Sequence, residues 1–252
     1  MGKTAELIKA SYDVGMGFLR PSANAERAYP VAVHSTQPAP PAAPAAIVPI
    51  RSLGPGHAER IAQHLLALLP ADRYLRFGYQ ANDEQIRRYV AGLNFERDDI
   101  FGIYNRRLSL IAVAHLAFSI DPQSNSCAEF GVSVLAHARG RGYGARLFDR
   151  AVMHARNEGV RMMFIHALSE NTAMLNIARK AGATIERDGS ESEAYLKLPP
   201  ADLDSRMSEM VEEQIAQTDY RLKVQARHFR EFLSLIQEVR QGVRDARGGL
   251  PR

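Results

Sequence analysis

The chain has 252 residues, of which 46% are hydrophobic and 24% are charged, a composition typical of a globular protein with a sizeable core. Its net charge of +4 is dispersed rather than gathered in a basic stripe, so no nucleic-acid partner is predicted. The single cysteine, Cys127, excludes a disulfide framework and no apolar run is long enough to span a bilayer, so we predict a cytoplasmic protein without a membrane partner.

The first part of the chain shows no convincing domain pattern and ends in a stretch rich in proline and alanine. Residues 37–46 contain four prolines, which favour a semi-rigid polyproline linker. We therefore predict a disordered or docking segment at residues 1–46, one domain at residues 47–199 and a helical extension at residues 200–252.

Hydrophobic spacing within residues 47–199 predicts a sheet flanked by helices. The strands are expected at Ile47–Ile50, Ile100–Tyr104, Leu108–Ile120, Cys127–Leu135, Val160–Leu168, Thr184–Arg187 and Glu193–Leu198. The helices are expected at Gly56–Leu69, from Asn82 to about Leu93, at Gly142–Asn157 and at Thr172–Ala181. Since strands and helices do not simply alternate, this order indicates an α+β fold with a mixed sheet.

Residues 202–247 carry apolar positions at helical spacing, which predicts one long helix or a helical hairpin folded at Asp219-Tyr220. These positions are Met207, Val211, Ile215, Leu222, Ala226, Phe229, Leu233, Ile236 and Val243. A continuous helix of about 45 residues would be ~68 Å long and would overhang its own domain. A homodimer through this helix is the simplest way to cover the apolar stripe. The segment is acidic early and basic late, which fits either the helix dipole or antiparallel pairing of two helices.

A glycine-rich turn lies between the strand Cys127–Leu135 and the next helix. It has glycines at alternate positions and arginines beside them: Arg139, Gly140, Arg141, Gly142, Tyr143, Gly144, Ala145 and Arg146. The first N–H groups of a helix lack intrahelical partners and attract anions, and glycines let a ligand approach the backbone. The turn therefore predicts a diphosphate site, with a purely structural tight turn as the alternative.

A dinucleotide is the rival ligand for this turn. Gly140-x-Gly142-x-x-Ala145 satisfies the relaxed dinucleotide fingerprint, and Glu170 could supply the ribose carboxylate. The fingerprint normally follows its strand directly and comes first in its fold, whereas here four residues intervene and the strand is the fourth. A dinucleotide-binding protein stays the less favoured alternative.

Two motifs together resemble the GNAT superfamily of N-acetyltransferases. Arg139-x-x-Gly142-x-Gly144 follows Glu129-Phe130-Gly131-Val132-Ser133-Val134 and resembles the superfamily's coenzyme A motif. Ser169-Glu170-Asn171-x-x-Met174 and Ala178-x-Lys180-x-Gly182 resemble the second signature. The resemblance covers roughly residues 47–199. It implies a GNAT-like, mostly antiparallel sheet and acetyl-CoA or another acyl-CoA as co-substrate.

The same resemblance implies roles for individual residues. Val134 and Leu135 would offer backbone groups to the pantetheine arm and the thioester, and the N–H groups from Arg139 to Ala145 would hold the pyrophosphate. Asn171 would contact the cofactor, and it is also a candidate N-cap for the helix that begins at Thr172. No residues show metal-ligand spacing, so no metal is expected.

The chemistry implied is direct attack of a primary amine on the thioester, which requires a base. Glu129 is the candidate, because it resembles a glutamate of bacterial protein acetyltransferases; a solvent-facing glutamate is the alternative. The tyrosine that often serves as acid is replaced by Ala178, which leaves the acid unassigned. Asn171-x-x-Met174 and Arg73-Tyr74-Leu75-Arg76-Phe77 resemble bacterial protein-lysine acetyltransferases and favour a lysine acceptor. A catalytically weak acyl-CoA-binding regulatory module is the alternative function.

Overall fold

The protein is built on a seven-stranded sheet. The computed structural model describes residues 48–119 and 127–248, with side chains given up to His228, so the segment 1–46 lies outside the described residues. The strands are β1 (Arg51–Ser52), β2 (Asp99–Tyr104), β3 (Leu110–Phe118), β4 (Cys127–Val134), β5 (Met162–Leu168), β6 (Thr184–Asp188) and β7 (Glu191–Lys197). They lie in the order β1-β2-β3-β4-β5-β7-β6, and only the β4–β5 pair is parallel. The predicted α+β fold with a mixed, mostly antiparallel sheet is confirmed.

The described helices are α1 (Ala58–Leu66), α2 (Pro70–Phe77), α3 (Asp83–Ala91), α4 (Tyr143–Asn157), α5 (Thr172–Lys180) and α6 (Leu203–Gly248). Successive side chains of a strand point to opposite faces. On β4, Phe130 packs edge-on against Phe148 of α4 with ring centroids 5.1 Å apart, while Gly131 lies against Arg76 of α2. Helices α2 and α4 therefore cover opposite faces of the sheet, with the apolar core between them.

Helix α2 is the element that differs most from the sequence prediction. The apolar run through Leu65, Leu66 and Leu69 extends the predicted first helix to Leu69, but α1 ends at Leu66. Pro70 occupies the first position of a new helix, where its missing N–H costs no hydrogen bond. The chain therefore turns at residues 67–69 and carries Arg73 to Phe77 on a separate helix.

The strand predicted at Ile47–Ile50 is placed too early. Its described residues, 48–50, are not in a strand, and β1 instead pairs Arg51 and Ser52 with Gly102 and Phe101 of β2. The predicted strand from Leu108 begins later, at Leu110, because Leu108 takes a left-handed φ of 61° in the turn after β2. Its predicted end, Ile120, lies outside the described residues.

Helix α6 is one continuous helix of 46 residues rather than a hairpin, which confirms the predicted C-terminal helical extension. It contacts the rest of the domain through a largely polar face, formed by Ser205, Glu209, Glu213, Ala216, Tyr220 and Lys223. The apolar stripe is exposed instead: Leu203, Met207, Met210, Val211, Ile215 and Leu222 are 36–80% accessible. The domain boundaries themselves stay predictions. Within the part of the chain that the structure describes, no helix has the length and hydropathy to cross a bilayer.

Candidate active site

The parallel strands β4 and β5 separate in the middle of the sheet. They pair only from Cys127–Met162 to Glu129–Phe164, whereas β4 continues to pair with β3 as far as Val134 and Ala112. From Phe130 onward, no strand of the described residues therefore lies beside one edge of β4. This gap is the feature around which the predicted site residues assemble.

The hydrogen bonds of the β3–β4 ladder determine which β4 groups face the gap. Leu135 N–H donates to the Ile111 carbonyl at 3.0 Å, and hydrogen-bonded residues alternate along an antiparallel strand. The backbone groups of Val132 and Val134 consequently point away from β3, into the gap. Val134 therefore faces the gap, although its carbonyl also accepts Arg139 Nε, and Val132, which the sequence did not single out, faces it as well; that either binds the arm stays a prediction.

Leu135 is placed differently from the expectation. Its N–H group is bonded to Ile111, and its carbonyl accepts the Ala138 N–H at 2.8 Å. Both of its backbone groups are thus engaged within the protein, and its side chain is buried. We therefore expect the arm to use Val132 rather than Leu135. Which backbone groups of β4 face the gap follows from its register with β3, and that register cannot be derived from a single sequence.

The glycine turn forms a cradle of backbone N–H groups at the end of β4, from Gly140 onward, because the Arg139 N–H already donates to the Ala136 carbonyl at 3.3 Å. Gly140 and Gly142 have φ of +75° and +74°, and Gly142 is the N-cap of α4. No side chain caps this helix start, its first turn has no acidic residue, and Arg146 N–H makes the first helical bond, to Gly142. The N–H groups up to Ala145 can therefore receive an anion.

Gly144 joins the cradle to the gap. A Cβ at this position would lie 3.3 Å from Ile177 Cδ1 of α5 and 3.9 Å from Val134 Cγ2. The turn is therefore packed between the end of β4 and α5. All the residues predicted to hold the pyrophosphate, Arg139, Gly140, Arg141, Gly142, Tyr143, Gly144 and Ala145, lie in this one turn.

Asn171 lies just beyond β5, on the opposite side of the gap. Its Oδ1 accepts the Met174 N–H at 3.2 Å, so it is the N-cap of α5. Its Nδ2 donates to the Leu75 carbonyl of α2 at 3.4 Å. The predicted cap is thus present, while the cofactor contact stays a prediction.

Helix α2 is tied to both sides of the gap. Beside β4, Asp72 forms an ion pair with Arg139 at 2.5 Å, and Arg139 Nε also donates to the Val134 carbonyl at 3.3 Å. Beside β5, Leu75 accepts the bond from Asn171. The helix therefore covers one face of the gap, and the charge of Arg139 is already partnered by a carboxylate.

Glu129 stands where β4 and β5 part. It is the last β4 residue that pairs with β5, and its side chain is exposed. Strand alternation places it on the same face as Gly131 and Ser133, the face covered by α2. The exposed carboxylate thus lies at the closed end of the gap, on the face of the sheet that carries α2.

A chain of polar groups that are partly buried, with Asp98 fully buried, lies at α2 on the same face. Arg76 Nη2 donates to Tyr89 Oη at 3.0 Å, Tyr89 Oη lies 2.7 Å from His115 Nδ1, and His115 Nε2 lies 3.2 Å from Asp98 Oδ2. Arg97 binds the Asp98 carboxylate through two nitrogens at 2.6 and 2.8 Å. Sequence reasoning missed this chain, because its members come from separate segments without a motif.

The pKa values in this chain reflect burial and charge. Burial raises the pKa of Tyr89, and the Arg76 guanidinium only partly offsets that effect. Burial would also raise the pKa of Asp98, but His115 and Arg97 outweigh it and hold this pKa below its ordinary value. Tyr89 is therefore a neutral phenol at rest and Asp98 a carboxylate.

The backbone groups of the turn and of the free edge of β4 fit coenzyme A. The uncapped N–H groups of the turn suit a diphosphate, and the gap-facing groups of Val132 and Val134 suit the amides of an extended arm. Among the described residues, no cluster of three His, Cys, Asp or Glu side chains is arranged to hold a metal ion.

Comparison with known proteins supports the same assignment. The model of the acetyltransferase (GNAT) family matches residues 70–183, which include β4, the turn and Asn171. The fold is similar to the GNAT domain of S. lividans PAT, with 19% identity, a TM-score of 0.51, and 59% of this chain and 89% of that chain covered. It is also similar to an N-acetyltransferase from Staphylococcus aureus Mu50 (17% identity, TM-score 0.50, coverage 60% and 98%).

A third similar structure is that of a Salmonella typhimurium protein with its cofactor acetyl-CoA. It shares 15% identity and a TM-score of 0.50, and the match covers 62% of this chain and 97% of that one. At these identities the likeness to the solved structures is one of fold.

Proposed function

We propose that this chain, whose residues 70–183 match the model of the acetyltransferase (GNAT) family, transfers an acetyl or other short acyl group from acyl-CoA to a primary amine. The observation that carries the proposal is the gap between β4 and β5, which leads into an uncapped helix start. The family uses acetyl-CoA as its donor, and acyl-CoA supplies the activated thioester.

The chain's own groups have separate tasks in this reaction. Main-chain groups of Val132 and Val134 bind the arm, and the N–H groups of the turn bind the diphosphate. Asn171 lies beside the arm from the β5 side. Glu129 takes a proton from the incoming ammonium, so that a neutral amine can attack the carbonyl carbon.

We propose a protein lysine as the acceptor. The support is the segment Arg73-Tyr74-Leu75-Arg76-Phe77, which resembles protein-lysine acetyltransferases and forms most of α2 above the gap. The side chain of Glu129 is exposed, which is compatible with a lysine that projects from another protein.

A ligand panel tests the cofactor assignment. We expect acetyl-CoA, succinyl-CoA or a longer acyl-CoA to raise the melting temperature, because binding to the folded state alone stabilises it, whereas NAD and ATP should leave it unchanged. Protection by NAD alone would favour the dinucleotide alternative. Binding without thiol release to any amine would favour the regulatory module.

Two glycine substitutions test whether acyl-CoA binds at the glycine turn. Gly142→Ala and Gly159→Ala replace glycines at φ +74° and +81°, at the two ends of α4. Each places an L-residue in the left-handed region of φ and should lower the free energy of unfolding by a similar amount, about 1–2 kcal/mol. We expect only Gly142→Ala to weaken acyl-CoA binding, and equal loss in both variants would count against the cradle.

We also propose a homodimer that buries the exposed stripe of α6. Leu203, Met207, Met210, Val211, Ile215 and Leu222 form this stripe, and the domain covers a different face of the helix. An exposed apolar stripe of this length is typical of an interaction surface. A second copy of α6 would offer a stripe of the same length and chemistry.

A further inference from the structure

We propose that Tyr89, His115 and Asp98 form a proton relay for the transfer reaction, an inference that rests on the proposed function. The relay supplies the acid that Ala178 cannot provide at the usual tyrosine position. It lies entirely on the face of the sheet that carries Glu129.

The direction of each hydrogen bond in the relay follows from its ends. A guanidinium has donors only, so Arg76 donates to the Tyr89 oxygen, 3.0 Å away. The phenol proton therefore points to His115 Nδ1, at 2.7 Å. The other ring nitrogen then carries its hydrogen toward the Asp98 carboxylate, at 3.2 Å, which assigns the Nε2–H tautomer.

The phenol end of the relay lies close to β4, the strand whose free edge borders the gap. His115 is the β3 residue directly opposite Gly131 of β4. Because Gly131 has no side chain, the guanidinium of Arg76 fills the space above it: a Cβ there would be 2.7 Å from Arg76 Nη2. Arg76 thus lies over Gly131, the neighbour of gap-facing Val132, and Tyr89 is hydrogen-bonded to Arg76. The negative charge of Glu129 also acts on Tyr89.

The Asp98 end of the relay is built to stabilise a positive imidazole. The Asp98 side chain is 3% exposed, and its charge is held by two hydrogen bonds from Arg97. A carboxylate fixed in this way orients a histidine and stabilises the imidazolium that forms when the histidine accepts a proton. His115 can therefore take the phenol proton while Tyr89 takes one from the reacting nitrogen.

The protons balance over the whole transfer. Glu129 first takes one proton from the ammonium and later releases it to solvent. The neutral nitrogen then attacks and the N–C bond forms. The second nitrogen proton passes to the Tyr89 oxygen as the phenol proton moves to His115 Nδ1. When the C–S bond breaks, the phenol proton goes to the sulfur and His115 returns its proton to Tyr89. The products are the amide, the free thiol and one released proton.

The test compares relay variants in the full-length protein. Tyr89→Phe removes one oxygen, and His115→Gln removes the imidazole. The assay measures thiol release from acetyl-CoA with a panel of amines as acceptors, and with water as the basal acceptor. We expect each variant to lower kcat by about 100-fold or more, because proton transfer contributes roughly 10²–10⁴-fold, with the KM for acetyl-CoA unchanged. The double variant should be no slower than the slower single one, because the residues act as a unit.

His64→Gln is the matched control. His64 is a buried imidazole on the same face, bonded to Ser133 Oγ at 2.9 Å and the Leu110 carbonyl at 3.0 Å. The His64→Gln substitution should lower the free energy of unfolding and leave kcat within about threefold of the wild type. A Tyr89→Phe protein with wild-type kcat, or an equal loss in His64→Gln and His115→Gln, would overturn the relay alone. A wild-type protein that binds no acyl-CoA, or releases no thiol, would overturn the proposed function and the relay together.

Discussion

The proposed role of Glu129 as the base rests on its position, at the point where two parallel strands part. A strand glutamate is usually a solvated surface residue, and exposure alone does not separate the two roles. Here the neighbouring groups differ from those of an ordinary surface: Arg76, Tyr89 and Gly131 lie on the same face, beside the gap. A base at this place can act on an amine that approaches the thioester.

We expect Glu129→Gln to lower kcat by about 100-fold while the affinity for acyl-CoA stays unchanged, because the amide cannot accept the ammonium proton. Thiol release and calorimetric binding of acetyl-CoA measure the two quantities separately. Glu186→Gln, which changes an exposed glutamate on the edge strand β6, is the control and should behave as the wild type. Full turnover in Glu129→Gln would end its assignment as the base.

Residues carried by local motifs could be identified from the sequence, whereas residues joined only in space could not. The glycines of the turn and Asn171 act through their own or neighbouring backbone, so spacing along the chain reveals them. Tyr89 and His115 are 26 positions apart and meet only because α3 packs over β3. No local pattern contains that contact.

At the scale of elements, ion pairs with α4 are among the contacts that hold α6 to the domain, beside hydrogen bonds and the packing of Tyr220 against Tyr104. Buried Arg150 contacts Glu209 at 2.8 Å and Glu213 at 3.4 Å. His154, also on α4, lies between Asp99 of β2, at 2.8 Å, and Glu209. A buried charge left without its partner is strongly destabilising, so these contacts make the position of α6 depend on protonation.

The pKa values define the pH range of that dependence. Burial disfavours the imidazolium, but hydrogen bonds to Asp99 and Glu209 outweigh it and raise the pKa of His154 to about 9 from an ordinary 6.5. Burial also disfavours the Glu209 carboxylate, but His154 and Asn157 outweigh it and lower its pKa to about 2 from 4.5. The His154 contribution is complete below pH 6.5 and is lost as pH rises through 9. The Glu209 contribution is complete above pH 4.5 and is lost as pH falls through 2.

We therefore expect the free energy of unfolding to fall between pH 6.5 and 9, by on the order of 2–3 kcal/mol, since one pKa unit corresponds to ~1.4 kcal/mol. His154→Gln should be less stable at pH 6 and lose this alkaline decline. Urea unfolding from pH 6 to 10 measures both. His166→Gln changes a half-exposed histidine on β5 and should retain the wild-type profile. An unchanged decline in His154→Gln would contradict the assignment.

The face that α6 buries could not be read from its sequence. Helical spacing identifies an apolar stripe, and such a stripe normally faces the core. In this protein the buried face is polar, because Glu209 and Glu213 find partners at Arg150 and His154, more than 50 positions earlier in the chain. At the predicted stripe positions Met207, Val211, Ile215 and Leu222 the side chains are exposed, and only the tertiary contacts show that the domain leaves them open. The predicted positions Phe229, Leu233, Ile236 and Val243 lie beyond the side chains that the structure describes.

At the scale of the whole molecule, the exposed stripe predicts an oligomer. Met207→Asp places a charge in the stripe, whereas Ser208→Asp places the same charge one residue later, roughly 100° around the helix. Both positions are exposed. We expect Met207→Asp to convert a dimer to a monomer in sedimentation velocity, because a buried, unpaired charge opposes association. Ser208→Asp should remain dimeric, and a monomeric wild type would refute the dimer.

The unpaired edge of β4 has a consequence for how this protein tolerates change. A ligand that lies between β4 and β5 meets peptide groups, so it takes the place of a missing strand rather than filling a pocket of side chains. Truncating Val132 or Val134 removes none of those peptide groups. Mutational scanning would thus register little at Val132 and Val134, because the proposed contacts at these two positions are made by the backbone and remain when the side chain changes.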